Sequence, residues 1–353
     1  MTPESDLAAA SRARHPSQSA ADGPRKGRDE ATFAPLLEVR DLAVSFAVEG
    51  RERRVVAGVS YSIPTGRTLG IVGESGCGKS MTALALIGLT PSPGRVTGSV
   101  RFEGRELVGQ SETEWRRLRG ARVAMIFQEP MTSLNPVMTI GRQVAEAIVL
   151  HQSIGWAKAG EQAVALLGQV GIASPKARAE AYPHQLSGGM RQRAMIATAL
   201  ACRPALLIAD EPTTALDVTI QAQILDLMQD LQAEIGMAIQ FVSHNLAVVS
   251  EVSDEIIVMY AGRIVERASA EALFARPLHP YTQGLIETIP DPYRRVARLP
   301  VIKGGAPSFD MAISGCCFAD RCPLADADCR VAEPPLVELA PSHFAACIKA
   351  KAA

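Results

Sequence analysis

A glycine-rich run near residue 75 has the residue types and spacing that bind phosphate groups. Residues 73–80 read GESGCGKS and fit the pattern G-x-x-x-x-G-K-S. Glycines let backbone N–H groups converge on phosphate oxygens, and a following helix directs its positive end at the same anion. Lys79 is expected to reach the β- and γ-phosphates of a nucleotide, and Ser80 to bind Mg²⁺. The run therefore predicts a nucleotide-binding loop.

An acidic pair ends an apolar run further along the chain. Residues 206–211 read LLIADE, the pattern of a buried strand that delivers a carboxylate to its carboxyl end. Asp210 is predicted to hold Mg²⁺ through water, and Glu211 to act as the general base that polarises the attacking water. The alternative is a strand end followed by a solvated acidic turn, which the pair alone does not exclude.

Two more polar residues follow apolar runs. Gln128 follows residues 123–127 and could contact Mg²⁺ and sense the γ-phosphate. His244 follows residues 241–243 and could bond the γ-phosphate and hold the water and Glu211 in position. A single histidine after a strand can equally be structural. Because each residue ends a separate predicted strand, however, all of them can meet at one edge of a sheet.

Residues 186–189, which read LSGG, begin a predicted helix over 189–201. Ser187 can cap this helix, and an exposed helix N-terminus makes a second anion-binding site. The alternative is a capped helix with no further role.

The elements that must position these residues follow from the apolar pattern. Strand-like alternation covers 36–46 and 55–63, and a hairpin is predicted over 255–265 with its turn at Ala261-Gly262. Short buried strands are predicted over 68–72, 100–102, 123–127, 205–209 and 238–242. Helices are predicted over 81–89, 141–151, 157–170, 189–201 and 218–234. This alternation predicts an α/β core with a helical insertion.

In this order, the phosphate loop, Gln128, the LSGG run, the acidic pair, residues 215–217 (ALD) and His244 resemble the ATP-binding subunit of an ABC transporter. The resemblance implies a P-loop NTPase core of α/β class with an antiparallel β subdomain and a helical insertion. It implies an ATP-binding domain at 35–270, with the helical subdomain at about 129–195.

The resemblance also implies a pocket shared between two subunits, in which the LSGG run of one covers the ATP held by the phosphate loop of the other. Asp217 matches the loop that links the two composite sites. Phe46 falls where the family places an aromatic ring on adenine, the alternative being a strand residue that faces the core. Met190 replaces the commoner glutamine, and we do not interpret this change as inactivating.

The site residues implied by the resemblance fall into three groups. The catalytic residues are Glu211, His244 and Lys79. The ligands of Mg²⁺ are Ser80, Gln128 and Asp210. The residues that bind ATP are Phe46, Gly73, Glu74, Ser75, Gly76, Cys77, Gly78, Lys79, Ser80, Met81, Gln128, Ser187, Gly188, Gly189 and Asp217.

After residue 270 prolines become frequent and little helix or strand pattern remains, which indicates a small appended domain over 271–353. Residues 275–282 (ARPLHPYT) and 315–322 (GCCFADRC) resemble the C-terminal extension of oligopeptide and dipeptide importer ATPases. Most ABC ATPases lack this extension, so the resemblance narrows the family.

The seven cysteines are unevenly placed, with five of them after residue 315. The family's cysteines are matched by Cys316, Cys322, Cys329 and Cys347, and Cys317 is extra. The resemblance implies a 4Fe–4S cluster. From the residues alone, clustered thiols in a cytosolic protein fit an iron–sulfur site, a zinc site or free thiols. Cys77, inside the phosphate loop, is either a redox-sensitive thiol or, as we favour, a passive small residue.

The composition limits which partners and which cellular location we expect. The 353 residues include 36 basic and 37 acidic ones, and the net charge of −1 gives no electrostatic case for a nucleic-acid partner. No apolar run approaches the ~18 residues of a membrane-spanning helix, and the N-terminus lacks the apolar core of a signal peptide. Residues 1–34 are predicted to be a disordered tail. We expect a peripheral protein on the cytoplasmic face of the plasma (inner) membrane.

The resemblance implies the ATP-hydrolysing motor subunit of a peptide importer. The implied partners are a second, related ATPase subunit in a heterodimer, two membrane permease subunits, and an extracytoplasmic peptide-binding protein that acts through them. Residues 128–137 match the region that joins nucleotide sensing to the permeases. The alternatives are an importer ATPase for nickel or another solute, and a soluble ABC-type ATPase that acts in DNA repair or on ribosomes.

Overall fold

The computed structural model describes residues 35–128, 133–214, 216–290, 300–307 and 313–351. The predicted tail at 1–34 lies outside the described residues, and so do Ala215 and residues 129–132 of the segment expected to meet the permeases. Within the described ranges, no helix combines the length and the apolar character needed to cross a membrane.

The described strands and helices follow the predicted alternation closely. The strands are β1 (Leu37–Val48), β2 (Arg51–Ile63), β3 (Thr68–Val72), β4 (Arg95–Phe102), β5 (Arg105–Glu106), β6 (Val123–Ile126), β7 (Leu206–Asp210), β8 (Ala238–Ser243), β9 (Glu255–Tyr260), β10 (Arg263–Ser269), β11 (Val337–Ala340) and β12 (His343–Ala345). The helices are α1 (Lys79–Leu86), α2 (Glu112–Leu118), α3 (Ile140–Gln152), α4 (Trp156–Gln169), α5 (Pro175–Ala179), α6 (Gly188–Leu200), α7 (Val218–Ile235), α8 (Leu246–Val252), α9 (Ala270–Ala275) and α10 (Pro280–Glu287).

An eight-stranded sheet carries the core, in the order β11-β12-β10-β9-β3-β8-β7-β6. Its central strands β9, β3, β8, β7 and β6 pair with one another in parallel, whereas β10 pairs with β9 antiparallel. β3, β7 and β8 are buried along their whole length, because helices or other structure cover both faces of a parallel sheet. This arrangement confirms the predicted α/β core, and it brings the carboxyl ends of β3, β6, β7 and β8 to one edge.

A second, antiparallel sheet has the order β2-β1-β4-β5. β1 and β2 form a hairpin whose turn residues Glu49 and Gly50 both have positive φ angles. Side chains of this sheet, such as Val39 and Val44, are buried in a core that they share with α1 and with residues of the eight-stranded sheet such as Ile71 and Ile208. The predicted antiparallel subdomain is confirmed.

The helical insertion consists of α3 to α6. Helix α3 buries Ile140, Val144 and Ile148, which recur at helical spacing, while α4 buries Ala159, Ala163 and Leu167 on its facing side. These faces join the core that packs against the eight-stranded sheet.

The C-terminal region contains more regular structure than its sequence pattern predicts. Helices α9 and α10 and the hairpin β11–β12 lie from residue 270 onward, and β12 pairs with β10 through Glu266 and Ala345. These elements are short, so their periodicity is weak and tertiary pairing decides their conformation. The extension thus continues the main sheet, and the boundary between 270 and 271 stays a prediction.

Candidate functional site

The phosphate loop connects β3 to α1, which is the context that its motif requires. Helix α1 begins at Lys79, and Gly78 before it has a φ of 101° that only glycine adopts readily. A Cβ on Gly73 would lie 2.2 Å from the Met259 carbonyl oxygen, so the loop needs glycine there as well. Lys79 Nζ donates to the carbonyl oxygens of Gly73 (2.7 Å) and Glu74 (3.0 Å). The ammonium therefore lies at the centre of the loop.

Ser80 and Asp210 meet at the edge of the sheet. The Ser80 hydroxyl donates to Asp210 Oδ1 at 3.1 Å, which joins the first turn of α1 to the end of β7. Burial and the neighbouring charge of Glu211 raise the pKa of Asp210, against the opposing hydrogen bond from Ser80. A hydroxyl and a carboxylate are hard oxygen ligands, so this pair fits a Mg²⁺ ion.

Glu211 has an unusual backbone and three side-chain partners. Its φ of 49° lies in the left-handed region, which is strained for a residue other than glycine, and its N–H donates to Val242 at 2.8 Å. Gln128 Nε2 (3.1 Å) and the Thr214 hydroxyl (2.9 Å) donate to Oε2, and His244 Nδ1 lies 3.1 Å from Oε1.

These contacts set the ionisation of Glu211. Burial alone would raise its pKa, but the hydrogen bonds from His244 and Thr214 and the positive charge of Lys79 outweigh burial, so that the pKa lies below the ordinary glutamate range. Glu211 is consequently an ionised carboxylate held in one orientation. The His244 side chain is 57% exposed, so the part of its ring that does not contact Glu211 is open to solvent.

Gln128, Asp210, Glu211 and His244 therefore come together at one edge, as their positions after separate strands predict. One detail differs from the expectation for Gln128. Its amide nitrogen contacts the Glu211 carboxylate, whereas the direct contact between the predicted Mg²⁺ ligands is that of Ser80 with Asp210. Gln128 as a ligand of Mg²⁺ stays a prediction.

The LSGG run starts α6, as predicted. Ser187 is the N-cap and accepts a long hydrogen bond of 3.4 Å from Met190 N–H. Ser187 and Gly188 are exposed, while a Cβ on Gly189 would lie 3.1 Å from Ile220 of α7. The helix start thus offers backbone N–H groups at the surface rather than in the interior.

The same helix is linked to the acidic pair through Gln192. This side chain is buried and donates to the carbonyl of Pro212, directly after Glu211.

Asp217 caps α7 by accepting from Ile220 N–H at 2.9 Å, and it is exposed together with Val218. The loop that contains Asp217 thus lies at the surface between the acidic pair and α7.

Phe46 lies in β1 and is half-buried against the core of the antiparallel sheet. A Cβ on Gly94 would lie 2.8 Å from its ring, so one side of the ring is covered by this chain. Its stacking on adenine stays a prediction.

Cys77 does not have the environment of a reactive thiol. Its side chain is buried, and burial raises its pKa even though Lys79 opposes this effect. Of the two interpretations of Cys77, the structure supports the passive small residue.

The matched cysteines of the extension line one small cavity, together with His279 and Phe318. They are Cys316, Cys322, Cys329 and Cys347. Cys316 N–H donates to the Cys329 carbonyl at 2.8 Å, which draws two of their chain segments together. Even so, no group of three or more histidine, cysteine or acidic side chains in the described part of the chain is arranged to hold a metal ion.

Cys317 is set apart from that cavity. It lines a neighbouring cavity with Arg263 and Glu333, and burial raises its pKa to about 12. A thiol of this kind is protonated and unreactive.

The sequence patterns did not predict two contacts that the extension makes with the phosphate loop. Arg321 donates to both carboxylate oxygens of Glu74, at 2.7 and 3.0 Å, and the Tyr281 hydroxyl accepts from Glu74 N–H at 2.9 Å. The partners are more than 200 positions apart, so local spacing carries no signal of these contacts. Tyr281 lies in the run 275–282 and Arg321 in the run 315–322, and membership of these two runs was the available hint.

A buried carboxylate was also missed. Glu266 of β10 is fully buried and accepts from the N–H groups of Leu278 (2.7 Å) and His279 (2.8 Å). His343 Nε2 of β12 lies 2.7 Å from the same carboxylate. Glu266 therefore ties β10, β12 and the start of α10 together.

Comparison with known families finds one match in the ATP-binding region and one in the C-terminal extension. Residues 56–214 match the family described as ABC transporter, and residues 265–329 match the family described as oligopeptide/dipeptide transporter, C-terminal region. The first match covers the phosphate loop and the acidic pair. The second covers Tyr281, Arg321 and Cys316, Cys322 and Cys329.

Curated relatives and solved structures agree with these matches. A probable peptide ABC transporter ATP-binding protein y4tR of Sinorhizobium fredii is 55% identical over 88% of this chain and 94% of its own length. The dipeptide transport ATP-binding protein DppD of Escherichia coli is 50% identical over 88% of this chain and 96% of its own length.

The dimeric, post-hydrolysis structure of the ATP-binding cassette MJ0796 bound to ADP and Pi has the same fold, with a TM-score of 0.60 at 24% identity over 66% of this chain and 98% of that one. On the identity and coverage of its relatives, this chain belongs to the ABC transporter ATPases, in the group that carries the oligopeptide/dipeptide C-terminal region.

Proposed function

We propose that this chain is the ATP-hydrolysing motor subunit that powers import of di- and oligopeptides through a membrane ABC transporter. The observation that carries the proposal is the meeting of Ser80, Asp210, Glu211 and His244 at one sheet edge beside the phosphate loop. The peptide-transport names of relatives at 50–55% identity support the cargo class.

The roles proposed for the site residues follow from the contacts. Lys79, centred in the loop, binds the β- and γ-phosphates, and Ser80 and Asp210 hold the Mg²⁺ that neutralises phosphate charge. Glu211, ionised and oriented by His244, Thr214 and Gln128, accepts the proton of the attacking water. His244 keeps that carboxylate in place from the exposed side.

A second subunit is proposed to complete the pocket. Ser187, Gly188 and Asp217 are exposed, and the N–H groups at the start of α6 face outward, where they can meet the γ-phosphate of an ATP molecule bound by a partner. We propose a related but different ATPase subunit as that partner, which gives a heterodimer with composite sites.

Contacts with two permease subunits are proposed for the helical insertion and for residues 128–137. Val137 and Leu150 are large apolar residues of this region with more than two thirds of their surface exposed, and Trp156 is half-exposed. Such contacts would place the protein peripherally on the cytoplasmic face of the plasma (inner) membrane. An extracytoplasmic peptide-binding protein would deliver the cargo to the permeases.

We also propose that the four matched cysteines hold a 4Fe–4S cluster, with zinc as the alternative. Their shared cavity supports a common role, and thiolates are the ligands that both sites use. The bound group would cross-link a segment that has little apolar core of its own. Protein purified without oxygen is expected to be brown and to contain iron. Colourless protein with stoichiometric zinc would favour the alternative, and protein with neither metal would contradict the site.

Transport in cells tests the proposed function. A strain that lacks this gene, supplied with the wild-type chain, is expected to take up a labelled dipeptide, whereas strains with Lys79→Ala or Glu211→Gln are not. Arg203→Ala, which removes an exposed ion pair with Glu234, is the matched control and should restore uptake. Restored uptake of nickel but not of peptide would contradict the cargo class, and co-purification with ribosomes instead of permeases would contradict the transport role.

A further inference from the structure

We infer that Arg321 and Tyr281 of the C-terminal extension are positioning residues for the phosphate loop. The inference rests on the proposed role of that loop in ATP binding, and it assigns to the extension a direct part in the nucleotide site. The residue through which they act is Glu74.

Every polar group of Glu74 has a partner. Its N–H donates to the Tyr281 hydroxyl at 2.9 Å, and its carboxylate accepts from both terminal nitrogens of Arg321 at 2.7 and 3.0 Å. Its carbonyl oxygen accepts from Lys79 Nζ at 3.0 Å. Glu74 therefore connects the extension on one side with the ammonium group of the phosphate loop on the other.

Arg321 is itself held in one orientation. Its side chain is 6% exposed, and its guanidinium group lies over the rings of Tyr260 and Phe318, 5.7 and 5.8 Å from their centres. Its Nε donates to the Lys303 carbonyl at 3.0 Å. A guanidinium fixed on several sides loses little freedom when it binds a carboxylate in bidentate fashion, so this pair orders Glu74 efficiently.

Tyr281 is equally well fixed. Its ring is fully buried and packs on Tyr260 and Phe318, with ring centres 4.7 and 5.4 Å apart. The neighbouring His279 caps α10 by accepting from Tyr281 N–H at 3.0 Å. The hydroxyl is therefore presented to Glu74 by a rigid aromatic cluster.

Such support matters most at the exposed tip of the loop, since Gly73, Cys77 and Lys79 are buried. Ser75 and Gly76 are exposed, a Cβ on Gly76 would meet nothing within 4 Å, and Gly76 and Gly78 have positive φ angles. A glycine-rich segment loses much conformational entropy when it orders around a phosphate. Contacts that hold one end of the loop before ATP arrives reduce that cost and tighten binding.

The test is an equilibrium titration of the full chain with Mg²⁺ and ATP. Arg321→Met keeps an apolar side chain of similar length between the rings but leaves the Glu74 carboxylate without its partner. We expect the Kd for ATP to rise about tenfold, the size of effect that follows from a lost charge-assisted hydrogen bond, at unchanged stoichiometry. Tyr281→Phe removes the hydroxyl alone and should raise the Kd by a smaller factor.

The matched control is Arg330→Met. Arg330 pairs with Asp320 in the same extension at 2.6 Å, but this ion pair is exposed and makes no contact with the phosphate loop among the described residues. The Kd of the Arg330→Met variant for ATP should equal that of the wild type. In the double variant Glu74→Gln/Arg321→Met the Kd should rise by less than the product of the two single effects, since both changes break the same contact.

Several results would overturn the inference. These are an unchanged Kd in both Arg321→Met and Tyr281→Phe, an equal rise in Arg330→Met, or a fall in stoichiometry with unchanged Kd, which would indicate partial unfolding. Lys79→Ala separates this outcome from failure of the proposed function. If Lys79→Ala abolishes ATP binding while Arg321→Met does not change it, the site assignment stands and only the role of the extension is wrong.

Discussion

The phosphate-binding edge and the C-terminal extension are stabilised in different ways. At the edge, neighbouring parallel strands bring their ends together, so the positions of Ser80, Asp210 and His244 follow from backbone pairing. In the extension, short elements are held by individual polar contacts, such as those of Glu266 and Arg321. The comparison teaches that a site made by sheet geometry is recognisable from local motifs, whereas one made by distant side chains is not.

The largest effect should come from Glu211 at the edge. Glu211→Gln removes the proposed base but keeps the size of the side chain, so we expect ATP turnover in the assembled transporter to fall by at least about 100-fold while ATP still binds. Steady-state turnover and a binding titration check this. Hydrolysis at the wild-type rate would show that the edge does not use this carboxylate as its base.

The largest effect in the extension should be on stability. Glu266→Ala leaves two buried N–H groups and His343 without their acceptor, and we expect the free energy of unfolding to fall by about 3–5 kcal/mol. Urea unfolding of the full chain measures the change. Glu38→Ala, which removes the half-buried partner of the exposed Arg40, is the control and should cost far less. Equal costs would mean that the buried contact does not hold the extension to the sheet.

Ser187→Ala, at the exposed start of α6, should separate function from stability. The cap hydrogen bond is long, at 3.4 Å, and exposed, so its loss should lower the free energy of unfolding by no more than about 1 kcal/mol. Turnover in the assembled transporter should nevertheless fall by roughly tenfold or more, since a donor to the partner's nucleotide is lost.

The control for this prediction is Ser111→Ala, which removes the comparable cap of α2 at 3.3 Å. It should match the small stability cost and leave turnover intact. If both variants hydrolyse ATP alike, Ser187 is only a helix cap and the composite pocket is not supported.

Cys77 should show the smallest effect. Its pKa is raised by burial, so thiolate is scarce at neutral pH, and Cys77→Ser should leave turnover unchanged. Treatment of the wild-type chain with iodoacetamide should modify Cys77 slowly, as mass spectrometry of the digested protein can measure. Rapid modification coupled to lost turnover would contradict the passive interpretation.

The sequence by itself determined the phosphate loop, the acidic pair, the strands that lead into these two motifs, and the LSGG run. Each of these depends on a local pattern of a few residues, and hydrophobic runs such as 206–209 specify buried strands without help from distant parts of the chain. The α/β class followed from the same patterns, and the antiparallel subdomain followed from the resemblance to the ABC ATPases.

Only the tertiary structure decided the contacts that cross long stretches of chain. It placed the Glu211 carboxylate between Gln128 and His244, and it added β11 and β12 to the main sheet. It also set Arg321 against Glu74. The physical reason is that a hydrogen bond between side chains remote in sequence depends on how whole elements pack. The local sequence around one partner therefore does not predict the other.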